Sequence, residues 1–440
     1  MSSGPSEQKS RDLRLDTWKS IAQYLGRSSR TVQRWHSDYG LPVHHLSGES
    51  GSVYAYSDDL DRWLRTRGRA RFDSPSKYPG TKILPATTDS DGLNHHNSIF
   101  DSSLIPSQAR IRSAQLVVFA GHKWKSVSDR NLTAILHHYR EAIDLDPCNA
   151  TAYAGLSMGL ILQGVWGLVS PAVAYASAKA ALGDAVKINS ELPLAECASA
   201  WLNLFATRDW QGARRSFEEL LELVPSCAHS MNGFGLFCIA EGWPQAASEI
   251  FLNAAEQNPL SASSMTLYCW SEYLAGDYAH ALHRVNELRT TGRTGPVLNE
   301  VEALALIQQE DWETQLGRIE ELAAESLQQH VVSGVLGHAY ALKGQNQRAR
   351  EILDRMTKGK KHSMSPEPYA IALILIGLNE KQRAVNCLEQ SYRNGSLWSL
   401  GFGSDPNLNC LRNDPHYKQF LTRCSYPDPV RDDVYLRAAS

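Results

Sequence analysis

A spacing of 34 residues constrains the fold of this chain more than any other feature of its sequence. Pro225 and Pro259 are 34 residues apart. Small and aromatic residues lie between them, namely Gly235, Ala247, Phe251 and Ala254. A unit of about 34 residues fits two helices, and a proline ends the second helix because it cannot continue the hydrogen-bond ladder. Small residues let the helices of a pair approach closely, and Phe251 fills the contact with a neighbour.

The same register recurs along most of the chain. The residues that hold it are Tyr139, Ala142, Pro147, Tyr153, Leu156, Ala178, Leu182, Ala185, Ala213, Phe217, Ala281, Gly337, Tyr340, Ala349, Leu353, Ala372, Ala384 and Leu388. They predict about seven helix pairs, with irregular joints near 164–172 and 290–330. Residues 108–424, about three quarters of the chain, thus resemble a bacterial tetratricopeptide array, an α-solenoid. The alternative is a generic α-helical bundle with coincidental alanines.

Charge and composition divide the remaining sequence. Residues 1–71 hold twelve Lys and Arg against eight Asp and Glu, a charge of +4, whereas the whole chain of 440 residues carries −3. A basic head on an acidic body indicates a polyanionic partner for the head only. The sequence predicts a compact domain at 13–70, a flexible Pro- and Ser-rich linker at 71–107 and a tail at 425–440.

The eight cysteines are scattered singly, without C-x-x-C or zinc-ligand spacing. Free cysteines among apolar residues are typical of a reducing compartment, so we expect a cytoplasmic protein. The first twelve residues have no apolar core and do not predict a signal peptide. The longest apolar stretch, "YAIALILIGL", is too short to cross a bilayer, and no membrane partner is expected.

The stretch "SIAQYLGRSSRTVQRW" (residues 20–35) predicts two short helices separated by a turn. Ile21, Ala22 and Leu25 form one apolar stripe, and Val32 and Trp35 form a second one. Glycine suits the turn at position 26 because it adopts positive φ without strain, and a serine at 28 or 29 suits the cap of the second helix. This order predicts a helix-turn-helix.

The sequence after the two helices extends the pattern. "GLPVHHLSGESGSVYAY" predicts a glycine-rich wing that ends in a strand, and "SDDLDRWLRTR" predicts a further helix capped by Ser57, with Leu60, Trp63 and Leu64 on one face. Residues 14–67 thus resemble the winged helix-turn-helix of MerR-type regulators and phage excisionases. His36 stands where that family has an acid.

The resemblance implies binding to double-stranded DNA. With Val32 and Trp35 facing inward, the second helix and its cap present polar side chains that can contact bases and phosphates. The predicted DNA-binding residues are Ser28, Ser29, Arg30, Thr31, Gln33, Arg34 and Ser37. The alternative is that this domain binds protein or caps the array.

The array offers a second predicted surface. In tetratricopeptide proteins defined positions of each first helix line a groove, and a groove of this kind can hold a peptide or a partner helix. In this register the predicted partner-binding residues are His229, Asn232, Thr266, Trp270, Tyr273 and His338. The alternative for Trp270 and Tyr273 is packing between repeats.

No sequence pattern indicates an enzyme. The chain has no glycine-rich phosphate loop and no G-x-S-x-G sequence, so no cofactor is expected. Three pairs of adjacent histidines, at 44–45, 95–96 and 137–138, point in different directions on a regular element, so no metal site is expected.

Together these patterns predict a mainly α-helical DNA-binding transcriptional regulator, with a tetratricopeptide array for partner binding or self-association. The alternative is a tetratricopeptide adaptor or scaffold whose helix-turn-helix no longer binds DNA. A homodimer is also predicted, paired through the apolar repeats around 369–392.

Overall fold

A computed structural model describes the protein at residues 14–25, 29, 32–33, 36, 41–45, 53–57, 59–60, 107–259, 261–293, 297–325, 330–358, 366–424 and 426. These residues form two units, one on each side of residue 90.

The first unit contains a small antiparallel sheet and a helix. Its elements are β1 (Arg14–Leu15), α1 (Trp18–Leu25), β2 (His44–His45) and β3 (Val53–Tyr56). The middle strand is β3, with Leu15 opposite Ala55 on one side and His44 opposite Tyr54 on the other. Thr17 and Ser20 cap α1 reciprocally, because each hydroxyl accepts from the other residue's backbone N–H at 3.0 Å.

One apolar core holds the described part of this unit together. Ile21, Val32 and Leu60 are fully buried in it, beside the alternate strand residues Val53 and Ala55. The predicted strand at the end of the wing is therefore present. The rest of the predicted winged helix-turn-helix, including Gly26, Trp35, Trp63 and Leu64, lies outside the described residues, as does the linker apart from Ser107 and the tail apart from Tyr426.

The second unit is a succession of paired helices. The described residues from Ser107 to Asn394 form eight pairs, one more than the sequence predicts. Their bounds are α2 Ser107–Lys123 and α3 Asp129–Leu145 (pair 1), α4 Ala150–Val165 and α5 Pro171–Ile188 (pair 2), α6 Pro193–Leu202 and α7 Trp210–Leu223 (pair 3), α8 Ala228–Ala240 and α9 Pro244–Gln257 (pair 4), α10 Ala262–Ala275 and α11 Tyr278–Thr290 (pair 5), α12 Leu298–Leu306 and α13 Leu316–Glu325 (pair 6), α14 His330–Leu342 and α15 Asn346–Lys358 (pair 7), and α16 Pro368–Gly377 and α17 Lys381–Asn394 (pair 8).

The 34-residue period is exact in the middle of the array. The second helices of pairs 3, 4 and 5 begin at Trp210, Pro244 and Tyr278, each 34 residues after the last. Two of these helices have the same cap, since the carboxylates of Asp209 and Asp277 accept from backbone N–H groups at 2.9 and 3.0 Å. The predicted array of helix pairs with a 34-residue period is thus confirmed.

Glycines and aromatic rings make the close contacts that the register predicts. A Cβ atom at Gly235 would lie 2.5 Å from the ring of Phe251 in the same pair. Between successive pairs, a Cβ atom at Gly233 would lie 2.3 Å from the ring of Phe217. The helices approach so closely because these positions carry no side chain.

Both predicted joints are irregular. In the first, residues 166–170 separate α4 from α5, and Gly167 adopts a φ of +67°. In the second, α12 has only nine residues and α13 only ten.

After pair 8 the chain folds back on the array. We call residues 395–424 together with Tyr426 the C-terminal segment. It contains the 3-10 turns Trp398–Gly401 and Pro406–Leu411 and the helix α18, Pro415–Arg423. Its buried apolar residues are Leu397, Trp398, Leu400, Phe402, Leu408, Leu411, Tyr417, Phe420 and Tyr426. Among the described helices, none is long and apolar enough to cross a membrane.

Candidate binding surfaces of the repeat array

A buried carboxylate fixes the C-terminal segment to pairs 5 and 8. The Tyr273 hydroxyl donates to Asp405 Oδ1 at 2.5 Å, and the Tyr369 hydroxyl donates to Asp405 Oδ2. Asn407 adds a third bond, from its Nδ2 to the Tyr273 oxygen at 2.7 Å. Burial raises the pKa of Asp405, and the bonds from the two tyrosines oppose that rise. Two first helices thus recognise one carboxylate.

Aromatic contacts surround this carboxylate. The rings of Trp270 and Trp398 meet edge to face at 5.6 Å, and Tyr369 stacks on Trp398 at 5.9 Å. Close packing continues at Gly401, where a Cβ atom would lie 3.1 Å from the Trp270 ring. Such aromatic pairs add stability beyond the area they bury.

The same segment reaches pairs 2 and 3. The Tyr175 hydroxyl donates to the Gly395 carbonyl at 2.8 Å. Arg208 Nη2 donates to the Tyr392 carbonyl at 2.8 Å and to Ser399 Oγ at 2.7 Å. Arg208 follows a π-helical turn at 203–207 and has a φ of +57°, a conformation that non-glycine residues rarely adopt.

The six predicted groove residues do not share one open surface. Trp270 and Tyr273 are buried under the C-terminal segment. His338 is also buried, with its Nδ1 hydrogen-bonded to the Leu373 carbonyl at 2.8 Å. Their role toward a partner stays a prediction. The sequence analysis missed the C-terminal segment that covers Trp270 and Tyr273. The run of aromatic residues in this segment, beyond the last repeat, is the sequence signal that could have predicted it.

The other three predicted residues line a cavity of about 510 Å³. His229 and Asn232 come from the first helix of pair 4, and Thr266 comes from the first helix of pair 5. Trp124 is a further wall residue, and its ring meets that of His229 edge to face at 5.1 Å. Burial lowers the pKa of His229, so its ring is neutral at physiological pH.

Cys227 stands at the edge of this cavity, at the N-terminus of α8. A hydrogen bond from Cys197 lowers the pKa of the Cys227 thiol to about 4. The same bond raises the pKa of Cys197, the buried partner. The sequence analysis assigned no site to either cysteine, because two cysteines 30 positions apart show no pairing pattern.

Of the seven predicted DNA-binding residues, the structure describes two. Gln33 is exposed and adjoins the fully buried Val32, as an amphipathic second helix requires. Ser29 is helical and half-buried. The other five, Ser28, Arg30, Thr31, Arg34 and Ser37, lie outside the described residues.

Two clusters bring three candidate metal-ligand atoms within 4.8 Å of one another: His137, His138 and Glu141, and Glu272, Asp277 and His280. In the second cluster His280 Nδ1 is 2.8 Å from Glu272 Oε2, and Asp277 caps α11, so these groups already have partners. The expectation of no metal stays a prediction.

No protein-family model matches the chain, and no curated protein matches it. Solved structures do. One is the Cut9–Hcn1 hetero-tetramer of APC/C, at 15% identity and a TM-score of 0.45, where the match covers 70% of this chain and 55% of that chain. The chain therefore spans little more than half the length of that relative.

Two further structures are of tetratricopeptide proteins. The match to a protein from Parabacteroides merdae has 15% identity and a TM-score of 0.31, and covers 72% of this chain and 99% of that chain. The match to the tetratricopeptide domain of P58(IPK) has 16% identity and a TM-score of 0.22, and covers 71% and 97% respectively.

Proposed function

We propose that this protein is an adaptor whose repeat array binds polypeptide. The observation that carries the proposal is the C-terminal segment, which lies against the first helices of pairs 4, 5 and 8 as a bound peptide would. A surface built to bind peptides needs apolar pockets for anchors and buried polar groups for specificity. Trp398 supplies the anchor and Asp405 the specific polar contact.

The test asks whether this surface accepts the segment from solution. Asp405→Ala removes the acceptor of two buried tyrosine hydroxyls, so the variant should release its own segment and bind a labelled peptide of residues 395–426. The wild-type chain, whose surface is covered, should bind at least about tenfold more weakly. Fluorescence anisotropy measures both affinities.

Asn409→Ala is the matched control, because Asn409 is exposed in the same segment. It should behave as the wild-type chain does. Tyr273→Phe provides a milder variant that removes one hydroxyl and keeps the packing. Limited proteolysis shows whether the segment is released in Asp405→Ala or in Tyr273→Phe. If it is released and the labelled peptide still does not bind, the proposal is wrong.

A second candidate function is DNA-binding transcription regulation. It is favoured by the fully buried Val32 beside the exposed Gln33, and by the antiparallel pairing of β2 with β3 at the position of the predicted wing. The positive charge of residues 1–71 suits a phosphate backbone.

Binding-site selection on random duplex DNA tests this second candidate with the full chain. We expect a selected sequence whose affinity falls steeply with salt, because phosphate contacts release counterions. Arg34→Ala should weaken binding by about 1–3 kcal/mol and relax one position of the site. Arg65→Ala removes a basic side chain from the further predicted helix of the same domain and should weaken all sequences alike, as the loss of a phosphate contact does. If no DNA sequence is enriched at low salt, the second candidate is wrong and the adaptor function remains.

A further inference from the structure

The cavity of about 510 Å³ has the size and the walls of a small-molecule site. Its described lining comes from pairs 1 to 5, from Val297 just before pair 6 and from Leu397 of the C-terminal segment, so it lies between successive first helices and not within one pair. Pockets for drug-sized ligands have volumes of about 300–1,000 Å³. Trp270 and Tyr273, which bind the C-terminal segment, are not among its lining residues.

One end of the cavity is polar, and its polar atoms lack partners. Asn232 Oδ1, Ser263 Oγ and Ser264 Oγ are buried without a hydrogen bond to any residue that the structure describes. Asn232 is 8% exposed and Ser264 is fully buried. Buried polar atoms are nearly always satisfied in native proteins, because leaving them unpaired costs free energy. These three atoms therefore indicate a ligand that supplies hydrogen bonds, including at least one donor for Asn232.

A second part of the wall is aromatic and apolar. Trp124 Nε1 donates to the Tyr139 hydroxyl at 2.6 Å, and Trp201 Nε1 donates to the His229 carbonyl at 3.1 Å. Since both indole N–H groups are used inside the protein, these two tryptophans offer the cavity only ring surface. Leu162 and Val165 also line this part of the wall. It suits the flat face of an aromatic ring.

The cavity carries little charge. Among the described lining residues none is an aspartate or a glutamate, and the ring of His229 is neutral because burial lowers its pKa; the anionic group is the Cys227 thiol, whose pKa is lowered to about 4. Lys125 is the only lysine or arginine among the lining residues that the structure describes, and it is exposed. A buried anion needs a cationic partner and would lie in the same cavity as the Cys227 thiolate, so an uncharged ligand fits this environment better than an anion.

We propose that the cavity between pairs 1 and 5 binds an uncharged aromatic molecule that carries a hydrogen-bond donor such as a carboxamide. Its ring lies against Trp124 and Trp201. Its polar end donates to Asn232 and exchanges hydrogen bonds with Ser263 and Ser264. The array would then hold a small molecule in a cavity that adjoins its polypeptide-binding surface at Leu397.

The test uses the full chain and a panel of aromatic carboxamides of indole size, with indole-3-acetamide as the reference and each amide paired with its carboxylate. Ligand-observed NMR detects binding up to millimolar dissociation constants, and tryptophan fluorescence gives the affinities. We expect amides to bind about tenfold more tightly than their carboxylates, because only the amide donates to Asn232 and avoids burying a charge.

Two variants locate the site. Asn232→Leu removes the acceptor at nearly constant volume and should abolish the preference for amides. Gly121→Phe should block binding without strain, because a Cβ atom at Gly121 meets no heavy atom within 4 Å. Ser248→Ala is the control: Ser248 is buried in the same pair as Asn232 but bonds to Ser271 at 2.8 Å, outside the cavity.

The outcomes divide cleanly. Binding of amides that Asn232→Leu and Gly121→Phe weaken, and that Ser248→Ala does not, supports the proposal. Absence of binding by every amide at millimolar concentration overturns it, as does equal binding of amides and carboxylates. Binding that both cavity variants leave unchanged places the probe elsewhere and also overturns it. Leu397 of the C-terminal segment also lines the cavity, so amide binding is measured in chains that keep their own segment in place, and its failure leaves the peptide test in Asp405→Ala unaffected.

Discussion

At the scale of single residues, a buried histidine with a lowered pKa makes the stability of the array depend on pH. His338 is buried, and burial lowers its pKa to about 4, against the hydrogen bond to Leu373 that favours the charged ring. An unfolded histidine titrates near a pKa of about 6.5. Between these two values the unfolded chain binds a proton that the folded chain does not, so acid must destabilise the fold.

We therefore predict that the free energy of unfolding falls as the pH drops through this window, by about 3 kcal/mol from His338 alone. His338→Gln should lose this share of the pH dependence. His122→Gln, at an exposed position, should keep it. Urea unfolding at a series of pH values measures the slopes. Equal slopes in all three proteins would contradict the prediction.

Cys227 gives a second prediction at this scale. Because its pKa is lowered, it should be alkylated by iodoacetamide already at about pH 6, where only a thiolate reacts. Cys410 is exposed, but burial of its thiol raises its pKa, so it should react only in alkali. Peptide mass spectrometry distinguishes the two sites. Faster labelling of Cys410 near neutral pH would refute the assignment.

At the scale of helices, the same substitution should have opposite effects at two glycines. Gly235→Ala would place a Cβ atom 2.5 Å from the ring of Phe251, which is fully buried and cannot move aside. We expect a loss of about 1–3 kcal/mol from overpacking. Gly183→Ala, on an exposed helix position with no atom within 4 Å, should gain about 0.5–1 kcal/mol through helix propensity. Thermal unfolding compares them, and equal signs would contradict the packing argument.

The helices were predictable because their signals are local. The 34-residue spacing, the small residue at Gly235 and the aromatic Phe251 each report a contact within one pair or with the next. The partners of Tyr273 were not predictable in this way. Asp405 lies 132 residues further along the chain, and no periodic pattern connects the two. Long-range polar contacts of this kind leave no trace in a repeat register.

For the same reason, three of the six predicted groove residues were placed correctly on one cavity and three were not. His229, Asn232 and Thr266 line a cavity because each occupies a regular position on a first helix. Trp270 has an equivalent register position, yet Trp398 covers it. Register determines which face a residue occupies, and only the tertiary structure determines what covers that face.

At the scale of the whole molecule, the C-terminal segment also changes the case for a homodimer. That prediction depended on apolar residues at 369–392 that exceed what one helix pair can bury. In the structure Tyr369 and Leu373 are buried within the chain, and Trp398 and Phe402 pack on Tyr369. The apolar surplus therefore has an intramolecular partner, and dimerisation stays a prediction without this support.

The segment also determines how the array should unfold. Helix pairs in a solenoid contact only their neighbours, so a solenoid can open pair by pair from an end. Here Asp405 bonds to Tyr273 in pair 5 and to Tyr369 in pair 8, about a hundred residues apart, and Arg208 ties pair 3 to Ser399. Tyr175 likewise ties pair 2 to Gly395. These bonds connect distant pairs, so pairs 2 to 8 should unfold as one cooperative unit.

Hydrogen exchange measured by mass spectrometry tests this. In the wild-type chain, α10 and α16 should exchange with the same free energy of opening, because neither can open without breaking the contacts at Asp405. In Asp405→Ala the free energies of opening of the two helices should differ. That of α16 should be lower because its pair lies at the end of the array. In Asn409→Ala the two free energies of opening should stay equal. Sequential opening from pair 8 inward in the wild-type chain would show that the segment lies on the array without coupling its repeats.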